Sequence, residues 1–189
     1  LGDVYKRQGK WHVDGHGRSN YIPRERRGGF DYWKVLECTH DYNSSHYYSG
    51  DNQEKLKWDG YDAISQTQDV IEYIRDRGPQ DDPFLMILSW GPPHDPYETA
   101  PAEYREMYSP DTLELRSNVP EEFADWTRKS LTGYYAHCTA LDDCMGSLLQ
   151  EIDRCGLTDD TIVLFFSDHG DMVGSHGMNN KQKPWQESV

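Results

Sequence analysis

The chain has 189 residues, enough for one domain with a hydrophobic core, and its formal net charge at pH 7 is −14. A chain this acidic is a poor candidate for binding nucleic acid, because it lacks the excess of cations that would neutralise phosphates. It also contains no apolar run of about 18 residues, the length that a membrane-spanning helix needs.

Residues 1–8 (LGDVYKRQ) resemble a translated sequencing-library adapter. We therefore expect them to be non-native and interpret residues 9–189 as one partial domain. Residues 9–60 are rich in Gly, Tyr, Asn, His and charged residues and show little periodicity, which predicts mostly loop with short strands. Residues 61–77 predict a helix that ends at Gly78-Pro79. Its apolar positions are Ile64, Val70, Ile71 and Ile74.

Two short apolar runs, Phe84–Trp90 and Thr161–Ser167, predict strands that are buried on both faces, as in a parallel sheet. Residues 101–120 contain several prolines and predict an irregular connection with a short helix. Residues 121–155 predict a long helix capped by Gly156. Its apolar face would carry Leu141, Met145, Leu148, Leu149 and Ile152.

The order of these elements predicts an α/β fold with a central, mostly parallel sheet flanked by helices. Ligands of such sheets bind beyond the carboxyl ends of the strands. Polar clusters follow both predicted strands, one around His94 and the other around Asp168. The predicted fold and the polar residues therefore indicate a functional site at these strand ends.

The strongest chemical signal lies in SDHGDMVGSHG, which runs from Ser167 to Gly177. Asp168 and His169 are adjacent, and both side chains can reach one metal ion if the backbone turns at Gly170. Lys181 follows them, and its ammonium group could neutralise an anionic substrate oxygen. This segment therefore indicates a metal-centred site for an anion.

Two earlier segments add cations and imidazoles. Lys10 and His12 would face the same side of an extended segment, where one could hold an oxyanion and the other could handle a proton. His94 lies in the proline-bounded loop of residues 92–97, whose stiffness suits a catalytic acid or an oxyanion donor. Both segments are therefore candidate parts of a catalytic site.

Four motifs together resemble those of the type I sulfatases, the formylglycine-dependent, alkaline-phosphatase-like arylsulfatase relatives. They occur in the same order and spacing: GKWH at 9–12, PPHDPY at 92–97, SDHGDMVGSHG at 167–177 and KQKPWQES at 181–188. The resemblance covers residues 9–189 and implies a fragment of the alkaline-phosphatase-like fold. It implies a partial sulfatase catalytic domain that removes sulfate from an organic sulfate ester, and we expect a carbohydrate ester.

The resemblance also implies a metal site. Asp168 and His169 would be two ligands of a divalent metal ion, usually Ca2+. Many relatives carry Asn where this chain has His169, and Ca2+ prefers oxygen ligands, so the histidine weakens the assignment of this metal. The upstream pair of aspartates that completes the site in the family is absent from this sequence.

Catalytic roles follow from the same resemblance. Lys10 and Lys181 would hold the sulfate oxygens, His12 would hydrogen-bond the hydrated formylglycine, and His94 would help the alcohol to leave. The family's nucleophile motif, Cys or Ser followed by x-Pro-x-Arg, is absent from the sequence. None of the four cysteines precedes Pro-x-Arg, so we expect this chain alone to be inactive. The four are Cys38, Cys138, Cys144 and Cys155.

Two other functions stay open on the sequence. A phosphate or phosphonate monoester hydrolase of the same superfamily would use a similar metal and similar lysines, because its substrate is also a tetrahedral oxyanion. A non-catalytic relative would bind sulfated glycans. We expect the substrate pocket to be lined by His16, Arg18 and residues 37–43. The usual location of the family predicts a periplasmic or secreted protein.

Overall fold

A computed structural model describes residues 4–77 and 82–189. The chain forms two compact units. The first unit comprises Leu1–Pro92 with Leu141–Thr161, and the second comprises Pro93–Ala140 with Ile162–Val189. The predicted helix end at Gly78-Pro79 lies outside the described residues.

The first unit contains a five-stranded sheet. Its strands are β1 (Val4–Lys10), β2 (Tyr32–Leu36), β3 (His46–Ser49), β4 (Leu56–Lys57) and β5 (Phe84–Ser89). Their order in the sheet is β4-β3-β2-β1-β5. β1 is parallel to both β2 and β5, whereas β2, β3 and β4 form antiparallel pairs. The sheet is therefore mixed, because short connections after β2 and β3 reverse the chain, whereas parallel strands need a longer crossover.

Strand β1 contains residues 4–8, part of the segment that we expect to be non-native. It lies between two neighbours, and its Lys6 and Gln8 are each only 1% exposed. Lys6 Nζ lies over the rings of Tyr32 and Tyr73 without a hydrogen-bond partner, and burial lowers its pKa to about 7. A lysine buried at the centre of a sheet without a hydrogen-bond partner is unfavourable, because burial destabilises its charged form. The origin of residues 1–8 stays a prediction.

Helix α1 (Asp62–Asp76) confirms the helix predicted over residues 61–77. Its Val70, Ile71 and Ile74 form a buried core with Leu148. Ile64 has the helical spacing predicted from the sequence, but it is 42% exposed and does not belong to this core.

Strand β5 confirms the strand predicted at residues 84–90, but its predicted burial on both faces is wrong. Leu85 points to the other face from Phe84, Met86 and Leu88 and is 49% exposed. Phe84, Met86 and Leu88 are partly buried against the core that α1 forms with Leu148.

Helix α3 (Ala124–Arg154) confirms the long helix, and Gly156 follows it with a φ of 66°, as a helix-ending glycine does. Leu148 is buried, whereas Leu149 is 46% exposed and does not belong to the core face. No helix in the described part of the chain is long and apolar enough to span a membrane.

The second unit contains the first part of α3, the short helix α2 (Ala102–Arg105) and several 3-10 turns. The strand predicted at residues 161–167 is wrong here: the segment forms no strand, and Ile162, Leu164 and Phe166 are 89%, 78% and 81% exposed. A strand requires a neighbour for its backbone N–H and C=O groups, and none of the described strands pairs with this segment. Asp168 therefore follows an exposed apolar segment instead of a paired strand.

Candidate active site

The first group of candidate residues lies where strand β1 ends. Lys10 is the last residue of the strand, opposite Leu36 of β2. Beyond it, Trp11 N donates to Leu36 O and His12 N donates to Glu37 O, both at 2.9 Å. His12 has a φ of 54°, in the left-handed region, so the alternation that would place it on the same side as Lys10 does not apply. We call residues 10–15 the Lys10 loop.

A buried carboxylate holds the Lys10 loop. Glu37 Oε1 accepts hydrogen bonds from the backbone N–H groups of Asp14 and Gly15, each at 3.0 Å. The side chain of Asp14 in turn pairs with Arg26 at 2.9 Å. We assigned Glu37 to a pocket wall from the sequence, but it is 4% exposed and supports the turn after His12. The sequence carries no signal of this role, because the contact joins residues far apart in the chain.

The entry into the Lys10 loop requires glycine. Gly9 has a φ of 88°, and a Cβ there would lie 2.2 Å from the backbone oxygen of Ser89 on β5. The close approach of two backbones in a parallel pair therefore determines the first residue of the GKWH motif.

The second group gathers in the second unit. Lys181 Nζ lies 2.8 Å from His169 Nε2, and the rings of His94 and His169 are 5.9 Å apart, edge to face. Asp168 Oδ1 is 3.7 Å from the same His169 nitrogen, and the aspartate side chain is 87% exposed. The structure therefore brings together an ammonium, two imidazoles and a carboxylate, which we call the Lys181 cluster.

The tautomer of His169 follows from its partners. Its Nδ1 is 2.7 Å from the carbonyl oxygen of Gly170, which can only accept, so Nδ1 carries the hydrogen. Nε2 then has a lone pair, to which the Lys181 ammonium donates. A ring nitrogen with a lone pair, fixed by a hydrogen bond at the other nitrogen, is the form in which histidine binds metals.

His94 is oriented by its own loop. Its Nδ1 lies 2.8 Å from the Asp95 carboxylate and 3.1 Å from the Asp95 carbonyl oxygen, both acceptors. Nδ1 is therefore a protonated nitrogen, and a proton exchanged with a substrate would pass through Nε2.

Two residues that the sequence did not single out support the His94 loop. His137, on α3, is fully buried with its Nε2 3.4 Å from the carbonyl oxygen of Pro96, and burial lowers its pKa to about 4. A Cβ at Gly133, also on α3, would lie 2.2 Å from the backbone oxygen of Tyr97. The loop therefore packs directly on the helix backbone, a contact between residues distant in sequence.

Backbone strain concentrates in the motif segments. Five described residues other than glycine have a positive φ, and all lie at 12 or within 173–182: His12, Val173, His176, Asn180 and Gln182. Such conformations cost free energy and persist where the surrounding structure imposes them, which is common at functional sites. The strain thus agrees with the motifs in marking these segments.

The donors at Asp168 and His169 suit two positions of a metal site. The Asp168 carboxylate is exposed, and His169 Nε2 offers a lone pair nearby. Within residues 4–77 and 82–189, no three or more His, Cys, Asp and Glu side chains are arranged so that they could hold a metal ion together. A Ca2+ shell takes about six to eight oxygens, so these two residues supply only part of one.

The motifs of both groups agree with a known family. The sulfatase family model matches residues 2–188. The chain belongs to the sulfatase family. A divalent metal and a formylglycine are general features of this family, and the four cysteines here lack the Pro-x-Arg context of a formylglycine precursor.

Several sulfatases are similar to this chain. It is 48% identical over 183 residues to an "Ulvan-active sulfatase" of Formosa agariphila and 28% identical over 181 residues to an "Endo-4-O-sulfatase" of Bacteroides thetaiotaomicron. These matches cover 96% and 89% of this chain but 36% and 35% of the relatives, so the chain spans about a third of their length.

Among solved structures, the sulfatase yidJ of Bacteroides fragilis matches with a TM-score of 0.86 and 28% identity. The match covers 95% of this chain and 44% of that one. The structure confirms the predicted α/β fold as part of a sulfatase fold, although the sheet is mixed and not mostly parallel.

Proposed function

We propose that the protein is a metal-dependent sulfatase that hydrolyses a carbohydrate sulfate ester. The observation that carries this proposal is the Lys181 cluster, in which an ammonium and two imidazoles with defined tautomers lie beside an exposed carboxylate. These are the groups that bind a tetrahedral oxyanion and move a proton. Membership of the sulfatase family supports sulfate as that oxyanion.

The residues divide the chemistry between them. The net reaction of hydrolysis transfers the sulfuryl group from the ester oxygen to an oxygen of water. Lys181 would stabilise the charge on the sulfate oxygens. His94, protonated at both ring nitrogens, would give its Nε2 proton to the ester oxygen as that oxygen leaves sulfur. Lys10 and His12 are proposed separately, as the cation and the imidazole of the GKWH motif in the first unit. We derive no step through formylglycine, because no residue of this sequence fits it.

The role of Lys181 is tested by replacing it with alanine in the full-length protein. The matched control is Lys183→Ala, which removes an exposed lysine two residues away. Loss of one preorganised donor to a developing charge lowers kcat/KM by roughly 100- to 1,000-fold, so we expect this for Lys181→Ala and almost no change for the control. Equal activity of the two variants would remove Lys181 from the mechanism.

We also propose Asp168 and His169 as ligands of the metal, with Ca2+ as the ion. A bound divalent cation would neutralise charge on the substrate oxygens. Calorimetric titration of the full-length protein with Ca2+ tests the site without relying on activity. Asp168→Asn should weaken Ca2+ binding by at least tenfold, whereas Asp160→Asn, at another exposed aspartate, should leave it unchanged; equal affinities would contradict the assignment.

The proposed substrate class is a sulfated polysaccharide or oligosaccharide. The "Ulvan-active sulfatase" and the "Endo-4-O-sulfatase" support this class through their names. Sulfate release should be measured from a panel of sulfated glycans and from 4-nitrophenyl sulfate. Turnover of the aryl ester alone would contradict the carbohydrate assignment, while turnover of phosphate esters alone would replace the sulfatase proposal.

We further propose that the protein works in the periplasm or outside the cell, where polymeric glycans are accessible. Fractionation of the source cells followed by detection with an antibody to this chain tests the location. Recovery in the cytoplasm would contradict it.

A further inference from the structure

One carboxylate, Asp171, hydrogen-bonds to three residues of the second unit: one on the His94 loop and two on its own segment, residues 171–180. Its Oδ2 accepts from the hydroxyl of Tyr97 at 2.7 Å. Its Oδ1 accepts from the backbone N–H of Val173 at 3.1 Å and from that of Asn180 at 3.0 Å. Both oxygens are therefore engaged, and none of these bonds is local to a helix or strand.

Asp171 and two of its partners, Tyr97 and Asn180, lie close in sequence to residues of the Lys181 cluster. Tyr97 lies three residues after His94, Asp171 lies two residues after His169, and Asn180 directly precedes Lys181. A single side chain thus links the loops that carry the two imidazoles and the ammonium. Because charged acceptors form stronger hydrogen bonds than neutral ones, this link is well suited to holding loops without regular structure.

Two of the Asp171 partners are strained. Val173 has a φ of 35° and Asn180 a φ of 61°, conformations that residues with a side chain rarely adopt. Their N–H groups are the two that Asp171 Oδ1 accepts. The carboxylate therefore helps to impose the backbone conformation from which Lys181 extends.

Tyr97 is closely packed where it contacts Asp171. Tyr97 is 7% exposed, and its ring packs edge to face on Tyr134 with a centroid distance of 6.0 Å. Its backbone oxygen lies against Gly133, where no Cβ would fit. Burial and the Asp171 carboxylate both raise the pKa of the Tyr97 hydroxyl, so it remains a donor at working pH.

We propose that Asp171 is a positioning residue that sets His94 relative to the His169–Lys181 pair through Tyr97 and Asn180. It does not touch the substrate, and it acts on the transition state only through the groups that it holds. The inference rests on the proposed sulfatase function of the same cluster.

The first test compares Tyr97→Phe with Tyr134→Phe in the full-length protein. Tyr97→Phe removes only the hydroxyl that reaches Asp171 and keeps the packed ring, whereas Tyr134→Phe removes a hydroxyl from the neighbouring ring. We expect Tyr97→Phe to lower kcat about tenfold with KM within about twofold, as the loss of one charge-assisted hydrogen bond in positioning would. Tyr134→Phe should retain wild-type kcat.

The second test is a double-mutant cycle with Asp171→Asn. Asparagine keeps an oxygen for the N–H groups of Val173 and Asn180 but replaces the acceptor of the Tyr97 hydroxyl by an amide group. If the two residues act as one link, the double variant Tyr97→Phe with Asp171→Asn should be no slower than the slower single variant. Losses in kcat that multiply, or an unchanged kcat in Tyr97→Phe, would overturn the proposal.

A readout without turnover separates this inference from the proposed function. The 15N resonances of the His94 and His169 rings should shift in Tyr97→Phe and stay in place in Tyr134→Phe. If the wild-type protein hydrolyses no sulfate ester but these shifts occur, the proposed function fails and the link stands. If the protein is an active sulfatase and the resonances do not move, the positioning role of Asp171 is wrong.

Discussion

The Lys10 loop and the Lys181 cluster carry similar side chains but are built in different ways. Lys10 ends a strand that is paired on both sides, and backbone hydrogen bonds to β2 continue through His12. The residues of the Lys181 cluster lie on segments that form neither helix nor strand. Backbone hydrogen bonds between strands can position residues that follow one another in the chain. Residues on separate loops depend instead on side chains that connect those loops.

The two regions share one device, a carboxylate that accepts backbone N–H groups. Glu37 binds the turn at residues 14 and 15 and serves the Lys10 loop alone. Asp171 joins the His94 loop to its own segment, residues 171–180, and its N–H partners have left-handed backbones. We therefore expect damage to β1 to affect mainly stability, and damage to the carboxylates to affect mainly activity.

The largest effect should follow from Gly9→Ala. The added Cβ would meet the Ser89 carbonyl oxygen and would also be strained by the φ of 88°, so we expect a loss of about 3–5 kcal/mol in the free energy of unfolding. The control is Gly60→Ala, where φ is 63° but no atom lies within 4 Å of the added Cβ, and the loss should be about 1 kcal/mol. Equal losses, measured by chemical denaturation, would show that strand contact is unimportant at Gly9.

Lys6→Met should have the next largest effect and the opposite sign. Removing a buried ammonium without a hydrogen-bond partner should raise the free energy of unfolding by about 1–3 kcal/mol. Lys57→Met, at an exposed lysine of β4, is the control and should change stability by less than about 0.5 kcal/mol. A Lys6→Met variant that is less stable than the wild type would contradict the inference that the buried lysine destabilises β1.

The same lysine predicts a pH dependence. Its pKa is about 7 in the folded chain and near its ordinary value of 10.5 when unfolded, so unfolding takes up a proton between these pH values. The stability of the wild-type chain should therefore rise as the pH increases from 7 to 10.5. In Lys6→Met, the free energy of unfolding measured by chemical denaturation should lose this rise between pH 7 and 10.5.

Glu37→Gln should have a smaller effect on stability and a measurable one on activity. The amide keeps one oxygen for the two N–H groups but loses the charge that strengthens those bonds, a change of about 1 kcal/mol. We expect kcat of the full-length protein to fall about threefold to tenfold because His12 is less well held. Glu54→Gln, at an exposed site, is the control and should have wild-type kcat. A wild-type kcat in Glu37→Gln as well would contradict the inference that Glu37, like Asp171, supports activity.

The smallest effect on stability should come from Leu164→Ser combined with Phe166→Ser in this 189-residue chain. Both side chains are largely exposed, so the melting temperature should change by less than about 2 °C. Binding of the dye ANS should fall, because the apolar patch is reduced. A large drop in melting temperature would show that the segment is buried in solution.

The sequence by itself determined the local elements. Helical spacing located α1 and α3, an apolar run located β5, and Gly156 marked the end of α3, since these signals depend on residues close together in the chain. Four short motifs were enough to identify the family, because each encodes a local backbone path together with reactive side chains. The roles of Lys10, His12, His94, Asp168, His169 and Lys181 remain predictions with the tests given above.

Only the tertiary structure decided what depends on distant neighbours. Thr161–Ser167 reads as a buried strand, yet strand formation needs a partner that no local pattern reveals. The same holds for the residues that support the site, since no local pattern marks Glu37 under the Lys10 loop, His137 behind Pro96 or Asp171 beneath Tyr97. Their roles arise from hydrogen bonds formed only when separate segments meet, and so they are invisible in the order of the residues.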